Sequence, residues 1–397
     1  MLSLPAFINQ LIFYSIVKKN IIDFNCGVTC YDWNERKFEV SLYRKGVYPL
    51  LFDYIVISCC SRFRDGRSIS AVYHLLKGKR SIQTVQDSHI YQLNHFYGIY
   101  PTLQKQDFDE QIHKLVDDSL LVLNNDNTAA LTDSGQHLLH RQANHGIVHY
   151  FNGMDYYQKA PVFLERLLLL IQTVTNSAEN NFQFIPVIDK PIITNWVKKQ
   201  YHQLRHHQAV FRSQLYKELY QLLQCCSETE ANIFVDSLSG YNHYGMSSFQ
   251  IADSYGLKRV DIPLVKTAMI HQMLSIITRN TTAYPIFARF FHDLPQASGI
   301  TNSASKTKEL LDKQYSAEEI AARRHLRLNT IYDHVVEIAL YEDEFPLEQY
   351  VTTDKQSEIL AAVNDTSSYK LKDIKWKVSE TISYFQIRLV LAVEKIS

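Results

Sequence analysis

The sequence predicts a mainly α-helical protein of several domains, with a winged-helix-like domain near the amino end and a helix-turn-helix domain at the carboxyl end. Only 12 Gly and 10 Pro occur among 397 residues, a composition that favours helices over a turn-rich β architecture. Apolar residues recur at helical spacing over most of the chain after residue 50. A chain of this length has room for about two to four domains, each with its own core.

The first 48 residues are predicted to be an amino-terminal extension whose structure the sequence does not indicate. Their apolar segment LSLPAFINQLIFYSIV lacks a preceding positive region and is too short to span a bilayer comfortably. We therefore expect an amphipathic or buried helix there and no membrane association. An alternative is that these residues extend upstream of the natural start.

The cysteines predict neither a disulfide framework nor a zinc site. They form two vicinal pairs and one C-x3-C motif, and no second C-x2-C or histidine pair completes a ligand set. The six residues are Cys26, Cys30, Cys59, Cys60, Cys225 and Cys226. Reduced thiols of this kind are typical of a cytoplasmic protein.

Residues 49–150 are predicted to form the winged-helix-like domain. Three segments with helical spacing begin near residues 68, 81 and 108. The following LLVLNNDNTAALT offers two short apolar runs on either side of a polar turn. Three helices followed by a hairpin is the order of elements in a winged helix.

Residues 151–294 are predicted to form a helical middle domain. Within it, 247–274 repeats the spacing of a helix-turn-helix, but Pro263 is tolerated only in the first turn of a helix. We favour a plain helical hairpin there, with a second helix-turn-helix as the alternative. The run DLPQASGITNSASK at 293–306 has the composition of a linker, so the carboxyl domain is placed at 305–397.

The stretch YSAEEIAARRHLRLNTIYDHVVEI at 315–338 has the pattern of a helix-turn-helix. Ser316 followed by Glu319 is the capping box of a helix start. His325 stands in the turn, where glycine is usual, and this predicts some backbone strain. The second helix has an apolar face at the spacing i, i+4, i+7, formed by Ile331, Val335 and Ile338.

Five residues at the start of that second helix are predicted to face outward and contact DNA: Arg327, Asn329, Thr330, Tyr332 and His334. Arg, Asn and Thr at this position can bind base edges. The local charge predicts weak binding, because residues 301–397 contain 13 Lys and Arg against 16 Asp and Glu. The alternative is that the same positions bind a protein partner.

Two stretches of the chain are strongly basic although its total charge is zero. Residues 62–80 and 190–222 each have a net charge of +5, and tyrosines are interspersed in the second, a combination suited to phosphate contact and base stacking. We favour KGKRS as the phosphate contact because it is predicted to lie between helices; its cations are Lys77, Lys79 and Arg80. The alternative is two solvated helix faces balanced by acidic residues elsewhere.

The carboxyl end resembles the helicase-type helix-turn-helix module at the end of some RecQ helicases. The resemblance includes YKLKDIKWKVSETISYFQIRLVLAVE and is carried by Leu371, Ile374, Val378, Ser383, Tyr384, Ile387, Arg388 and Leu391. In addition, SISAVYHLLKGKRSIQTVQDSHIYQL resembles the amino-terminal part of the YpbB-type family of low-GC Gram-positive bacteria. Members of that family carry the same module without a helicase domain and are typically encoded beside a RecQ helicase. The resemblance, over roughly 50–394, implies an association with such a helicase.

Motifs of catalysis are missing from the sequence. A RecQ motor needs a G-x-x-x-x-G-K-[ST] loop, and in LLKGKRS the earlier glycine position holds Tyr73. Gly146 interrupts the helical spacing of a histidine cluster made of His137, His140, His145 and His149. We expect no enzyme activity, no cofactor and no metal. A metal-dependent enzyme that uses these histidines is the least favoured alternative.

The sequence therefore predicts a non-enzymatic, cytoplasmic accessory protein that binds DNA and assists a RecQ-type helicase in DNA repair or recombination. Two alternatives keep the same fold. One is a protein–protein adaptor that makes no DNA contact, and the other is a transcriptional regulator.

Overall fold

The computed structural model describes residues 51–63, 67–142, 146–203, 207–294, 299–366 and 369–394. Within these residues it contains nineteen α-helices and one two-stranded sheet. The predicted mainly helical fold class is therefore confirmed. The predicted amino-terminal extension, with Cys26 and Cys30, lies outside the described residues.

The amino-terminal part of the described chain consists of helices followed by a hairpin. The elements are α1 (Leu51–Phe63), α2 (Ile69–Lys77), α3 (Ile82–Ile90), α4 (Lys105–Asp117), β1 (Leu121–Leu123), β2 (Ala129–Leu131) and α5 (Asp133–Gln142). The strands are antiparallel, with Leu121 opposite Leu131. An isolated bridge joins Ser68, just before α2, to Thr128 in the hairpin. The predicted order of helices and hairpin is present, and the assignment to the winged-helix class stays a prediction.

The middle of the chain is helical, as predicted. It contains α6 (Gly153–Tyr156), α7 (Lys159–Ala178), α8 (Pro191–Gln203), α9 (Gln208–Leu223), α10 (Glu228–Asp236), α11 (Ser248–Tyr255), α12 (Asp261–Arg279) and α13 (Pro285–Ala288). α12 is the core helix of this region, because buried residues lie on several of its faces and it packs against α7, α10, α11 and α13. Pro263 lies in its first turn, where proline is tolerated.

The carboxyl part adds six helices. They are α14 (Asn302–Leu311), α15 (Ala317–Arg324), α16 (Leu328–Tyr341), α17 (Thr353–Thr366), α18 (Leu371–Lys377) and α19 (Tyr384–Val393). α14 begins within the predicted linker: the Thr301 hydroxyl accepts a hydrogen bond from the Ala304 N–H at 3.1 Å, and both Ala304 and Thr307 are fully buried. The last residues of that polar run therefore form a helix start that Thr301 caps.

The described residues divide into two compact units. The middle unit consists of 51–52, 146–151 and 156–294. The composite unit joins two separated parts of the chain, 53–142 with 152–155 and 299–394, apart from the undescribed gaps. The four-domain division proposed from the sequence stays a prediction.

α3 packs into the carboxyl core of the composite unit. Its partly buried side chains Ile82, Val85 and Ile90 lie against a core that α15 to α19 supply, and α3 contacts both α16 and α19. The Gln86 side chain donates a hydrogen bond to the Arg388 carbonyl at 2.8 Å, across 302 residues of sequence. The amino-terminal part of the described chain therefore packs, through α3, against the helix-turn-helix.

Candidate nucleic-acid interface

The start of α15 and the turn after it have the geometry of a helix-turn-helix. The Ser316 hydroxyl accepts a hydrogen bond from the Glu319 N–H at 3.2 Å, and the Glu319 carboxylate accepts one from the Ser316 N–H at 2.8 Å. This reciprocal pair confirms the predicted capping box. His325 then ends α15 in the left-handed region with φ of 53°, where a side chain costs about 1–2 kcal/mol. The predicted backbone strain is thus located at His325.

The buried face of α16 contains the three apolar residues that the sequence predicts for it. Ile331 and Val335 are completely buried and Ile338 is 2% exposed. They pack in a core to which α15 contributes Ile320 and Ala321. Burial of this stripe holds the second helix at a fixed angle to the first.

The first turn of α16 is open to solvent. Arg327 is the N-cap residue, Arg327 and Asn329 are exposed, and Thr330 is half-buried. Among the described residues no side-chain hydrogen bond caps this helix end, so the N–H groups of Leu328 and Asn329 are available to an acceptor such as a phosphate oxygen. Three of the five predicted contact residues therefore lie together at the end of the helix that reads DNA in proteins of this fold.

The prediction that His334 faces outward is wrong. His334 is 7% exposed, and its Nδ1 lies 2.8 Å from the Thr307 hydroxyl of α14. Burial, with the nearby Arg324 guanidinium as the next cause, lowers the pKa of His334. The physical reason is that α14 covers α16 on that side, which widens the buried face beyond the stripe seen in the sequence. His334 supports the packing of α14 on α16.

Tyr332 is also engaged within the fold. Its ring is stacked on that of Phe385 in α19, with ring centroids 4.2 Å apart and an angle of 18° between the planes. Tyr332 remains half-buried. A base can reach Tyr332 only beside this stack, so its contribution to base contact is limited to the outer edge of the ring.

Two acidic residues farther along α16 are paired with neighbouring helices. Asp333 accepts a charged hydrogen bond from the Arg388 guanidinium at 2.7 Å. Glu337 accepts hydrogen bonds from the backbone N–H and hydroxyl of Thr301 at the start of α14. With α14, α19 and α3 all packed against α16, its accessible part is reduced to the first turn.

The predicted phosphate contact at 77–81 is a helix end. Gly78 adopts a φ of 68° and caps α2, so the N–H groups of Gly78 and Lys79 donate to carbonyls of that helix. The Lys77 ammonium donates to the Leu103 carbonyl at 3.1 Å. Neither the backbone nor Lys77 is therefore oriented toward an external phosphate. Lys79 and Arg80 are exposed. Burial raises the pKa of the Glu337 carboxyl, and the hydrogen bonds from Thr301 and the charge of Arg80 only partly oppose that rise.

The rest of the basic stretch at 62–80 is partly neutralised. Arg67 forms an ion pair with Asp87 at 2.7 Å, in which both side chains are largely buried. Arg62 donates to the Gln92 side chain at 3.1 Å. Arg64 lies outside the described residues. The fold therefore uses Arg62 and Arg67 in internal contacts.

The carboxyl region matches a family model described as a helix-turn-helix domain, over residues 303–391. This range coincides with α14 to α19 and confirms the predicted carboxyl helix-turn-helix domain. The chain is also 30% identical to Protein YpbB of Bacillus subtilis (strain 168) over 342 residues, which is 86% of this chain and 96% of the relative. The chain belongs to the YpbB family. No solved structure matches it.

One exposed aromatic residue of this YpbB family member was missed by the sequence argument. Trp376 in α18 is 81% exposed, and the exposed Lys372 lies one helical turn before it. The signal was present in the sequence, because the buried Ile374 and Val378 flank Trp376 and direct it outward. A tryptophan beside a lysine is a combination found where proteins stack on bases.

Neither a metal site nor a membrane span is found in the described part of the YpbB family chain. No group of three or more His, Cys, Asp or Glu side chains among those residues is arranged to hold a metal ion. His145 of the histidine cluster lies outside them. No helix in the described ranges is both long and apolar enough to cross a bilayer.

Proposed function

We propose that this YpbB family protein is a non-enzymatic DNA-binding accessory factor whose α16 touches DNA only through its first turn. The observation that carries the proposal is the contrast within α16. Arg327 and Asn329 are exposed at its open end, whereas Tyr332, Asp333 and Glu337 are engaged with α19 and α14. The helix-turn-helix match supports DNA as the ligand.

Contact through one turn implies weak binding by this domain alone. Phosphate contacts supply most of the non-specific affinity for DNA, and residues 301–397 have an excess of three acidic groups. We therefore propose that a partner or another surface supplies the remaining affinity. A RecQ-type helicase in the cytoplasm is the partner that the family resemblance implies, with DNA repair or recombination as the setting.

Replacing Arg327 and Asn329 tests the proposed contact. We expect Arg327→Ala to flatten the slope of log affinity against log salt by at most about one unit. Asn329→Ala should instead change the preference among DNA sequences, because asparagine pairs with adenine edges. Lys313→Ala is the matched control, since Lys313 is exposed beyond the end of α14. Variants that bind a randomised DNA pool with parental affinity and preference would contradict the proposed role of α16.

The proposed helicase partner needs a separate experiment. The tagged full-length protein is captured from its host, with and without nuclease treatment, and co-purifying RecQ-type helicase is quantified. Recovery that survives nuclease supports direct association, and recovery abolished by nuclease indicates a link through DNA. If the helicase is absent from both samples, the proposed partner is wrong.

The acidic balance of the carboxyl region favours one rival function, a protein–protein adaptor without DNA contact. α4 points to the same rival, because the helix contains four Asp and Glu against two Lys. Absence of any DNA binding by the full chain, together with recovery of a partner after nuclease treatment, would favour the adaptor.

A further inference from the structure

The segment that includes α8 and the first part of α9 has more cations without an intervening acidic residue than any other stretch of the chain. From Lys190 to Lys217 the sequence contains six Lys and Arg and no Asp or Glu. Arg205 is one of these six and lies outside the described residues. The acidic residue that follows, Glu218, is fully buried and accepts hydrogen bonds from the N–H groups of Ile286 and Phe287 at the start of α13. It therefore does not neutralise the exposed cations of α8 and α9.

Most of these cations are not used by the fold. Lys198, Lys199 and Lys217 are exposed, and Arg212 is half-buried; within the described ranges none of the four forms an ion pair or a side-chain hydrogen bond. Lys190 differs, since it is paired with Glu165 of α7. In the stretch 62–80, by comparison, Arg67 forms an ion pair with Asp87, and the Lys77 ammonium donates a hydrogen bond to the Leu103 carbonyl.

The end of α8 and the start of α9 meet at one corner. The Gln208 side chain donates to the Tyr201 hydroxyl at 2.8 Å, and Arg212 lines the same crevice as these two residues. Lys198 and His202 lie one turn apart on the last turns of α8. The side chain of the N-cap residue His207 makes no hydrogen bond to the first turn of α9, and the dipole of this helix end adds to the positive potential of the corner.

Two tyrosines, Tyr216 and Tyr220, lie on the same face of α9 as Arg212. Arg212, Tyr216 and Tyr220 follow one another at i, i+4 and i+8, which places them on one face of α9. The two tyrosine rings are half-buried and stacked, with centroids 5.9 Å apart. Cations beside partly exposed rings are the surface chemistry that binds a phosphate backbone together with its bases.

We propose that α8 and α9, 191–203 and 208–223, provide the main phosphate-binding surface of this protein for DNA. This inference rests on the proposed function, because it names the surface that supplies the affinity missing from α16. Lys198, Lys199, Arg212 and Lys217 bind phosphate oxygens, and the tyrosine pair lies beside the path of the backbone. The helix-turn-helix then adds a sequence-dependent contact of smaller energy.

The test is a charge-matched pair of triple variants in the full chain. The first carries Lys198→Gln, Lys199→Gln and Lys217→Gln. The control removes three other exposed lysines with the same loss of charge, through Lys114→Gln, Lys306→Gln and Lys313→Gln. Fluorescence anisotropy measures binding of each protein to a single-stranded oligonucleotide and to the duplex of the same sequence over a range of salt concentrations. Circular dichroism confirms that both variants are folded, and Arg212→Gln provides a fourth position on the surface.

We expect the first variant to flatten the salt slope by about two to three units on the duplex and by about two units on the single strand. The control variant should keep the parental slope. Parental slopes in the first variant and in Arg212→Gln, or equal flattening in both triple variants, would overturn this inference while leaving the proposed function standing. A parent that binds no DNA at low salt would overturn both. Binding of the parent to anionic phospholipid vesicles but not to DNA would also overturn this inference, because the ligand of the surface would then be a lipid headgroup.

Discussion

Two regions of this protein share the local geometry of a helix-turn-helix, yet only one of the two exposes the first turn of its second helix. In the middle unit, the capping pair Ser247 and Gln250 begins α11, and Gly256 ends it with φ of 63°. In the composite unit, Ser316 and Glu319 begin α15, and His325 ends it in the same left-handed region. The two turns are closed alike: the Leu257 N–H donates to the Ala252 carbonyl at 2.9 Å, and the Leu326 N–H donates to the Ala321 carbonyl at 3.0 Å.

The difference begins at the first residues of the second helix. In α12, Asp261 is completely buried and accepts a hydrogen bond from the Phe52 N–H at 2.8 Å. In α16, the corresponding turn carries the exposed Arg327 and Asn329. A helix whose first turn is enclosed by its own unit cannot enter a DNA groove. Capping boxes and turns therefore predict the shape of the motif, whereas the packing of distant segments decides whether it can bind DNA.

The largest effect is expected from a charge placed in the core beneath α16. Ile331→Asp should unfold the carboxyl helices, because burying an unpaired carboxylate in place of a fully buried isoleucine costs several kcal/mol, about 4 or more. Asn329→Ala, two residues away and exposed, should change stability by about 0.5 kcal/mol or less. Urea unfolding followed by circular dichroism measures both. Equal destabilisation by the two changes would show that the exposed and buried faces of α16 have been assigned the wrong way round.

A smaller loss is expected at the start of α12. Asp261→Ala removes the acceptor of the buried Phe52 N–H, and leaving a buried donor unsatisfied costs about 1–3 kcal/mol. The same urea titration applies, with Asp253→Ala in the exposed part of α11 as control. Should Asp261→Ala prove as stable as the control, the proposed enclosure of α12 at its first turn would lose its support.

Local features of both motifs were predictable from the sequence because they depend on residues four or fewer apart. The capping box at Ser316 and the stripe at Ile331 and Val335 are of this kind, and the structure contains both. Such patterns reflect backbone hydrogen bonding and helical periodicity, which neighbouring residues determine.

Features that depend on distant partners were not predictable from the sequence. His334 lies three residues after Ile331, at the edge of the apolar stripe, and was assigned to the surface because its buried partner, Thr307 of α14, cannot be placed from spacing alone. The same limit applies to the phosphate contact at Lys77, whose partner Leu103 lies 26 residues away. The docking of α3 through Gln86 and Arg388 spans 302 residues and leaves no periodic pattern in either segment.

Substitutions at the residues that end α11 and α15 test whether the two turns share a left-handed backbone conformation. Gly256→Ala should destabilise the middle unit by about 1 kcal/mol, because a side chain is strained at positive φ. The added methyl group would meet nothing within 4 Å, so steric contact with other residues contributes nothing. His325→Gly should stabilise the composite unit by about 0.5–1 kcal/mol for the opposite reason. Urea midpoints measure both, and changes of the same sign would contradict the shared geometry of the turns.

A pH-dependent effect distinguishes the two units by their buried histidines. Burial lowers the pKa of His271 in α12 to about 3, and burial with Arg324 lowers the pKa of His334 in α16, which Asp333 partly opposes. Both folded-state values lie below the unfolded value of about 6.5, so the unfolded chain binds more protons as the pH falls below it. The associated stability is therefore complete above pH 6.5 and is lost on acidification, down to about pH 3 for His271.

Replacing each histidine by glutamine isolates its share of this acid sensitivity. We expect the loss of stability between pH 7.5 and pH 5 to be smaller in His271→Gln and in His334→Gln than in the parent, with the larger reduction for His271, whose pKa is shifted far below that range. Each variant is compared with the parent at both pH values, so any pH-independent loss cancels, including that of the Thr307 contact in His334→Gln. An identical pH dependence in all three proteins would mean that neither histidine is buried in solution, and α16 would then present His334 to DNA as the sequence alone predicts.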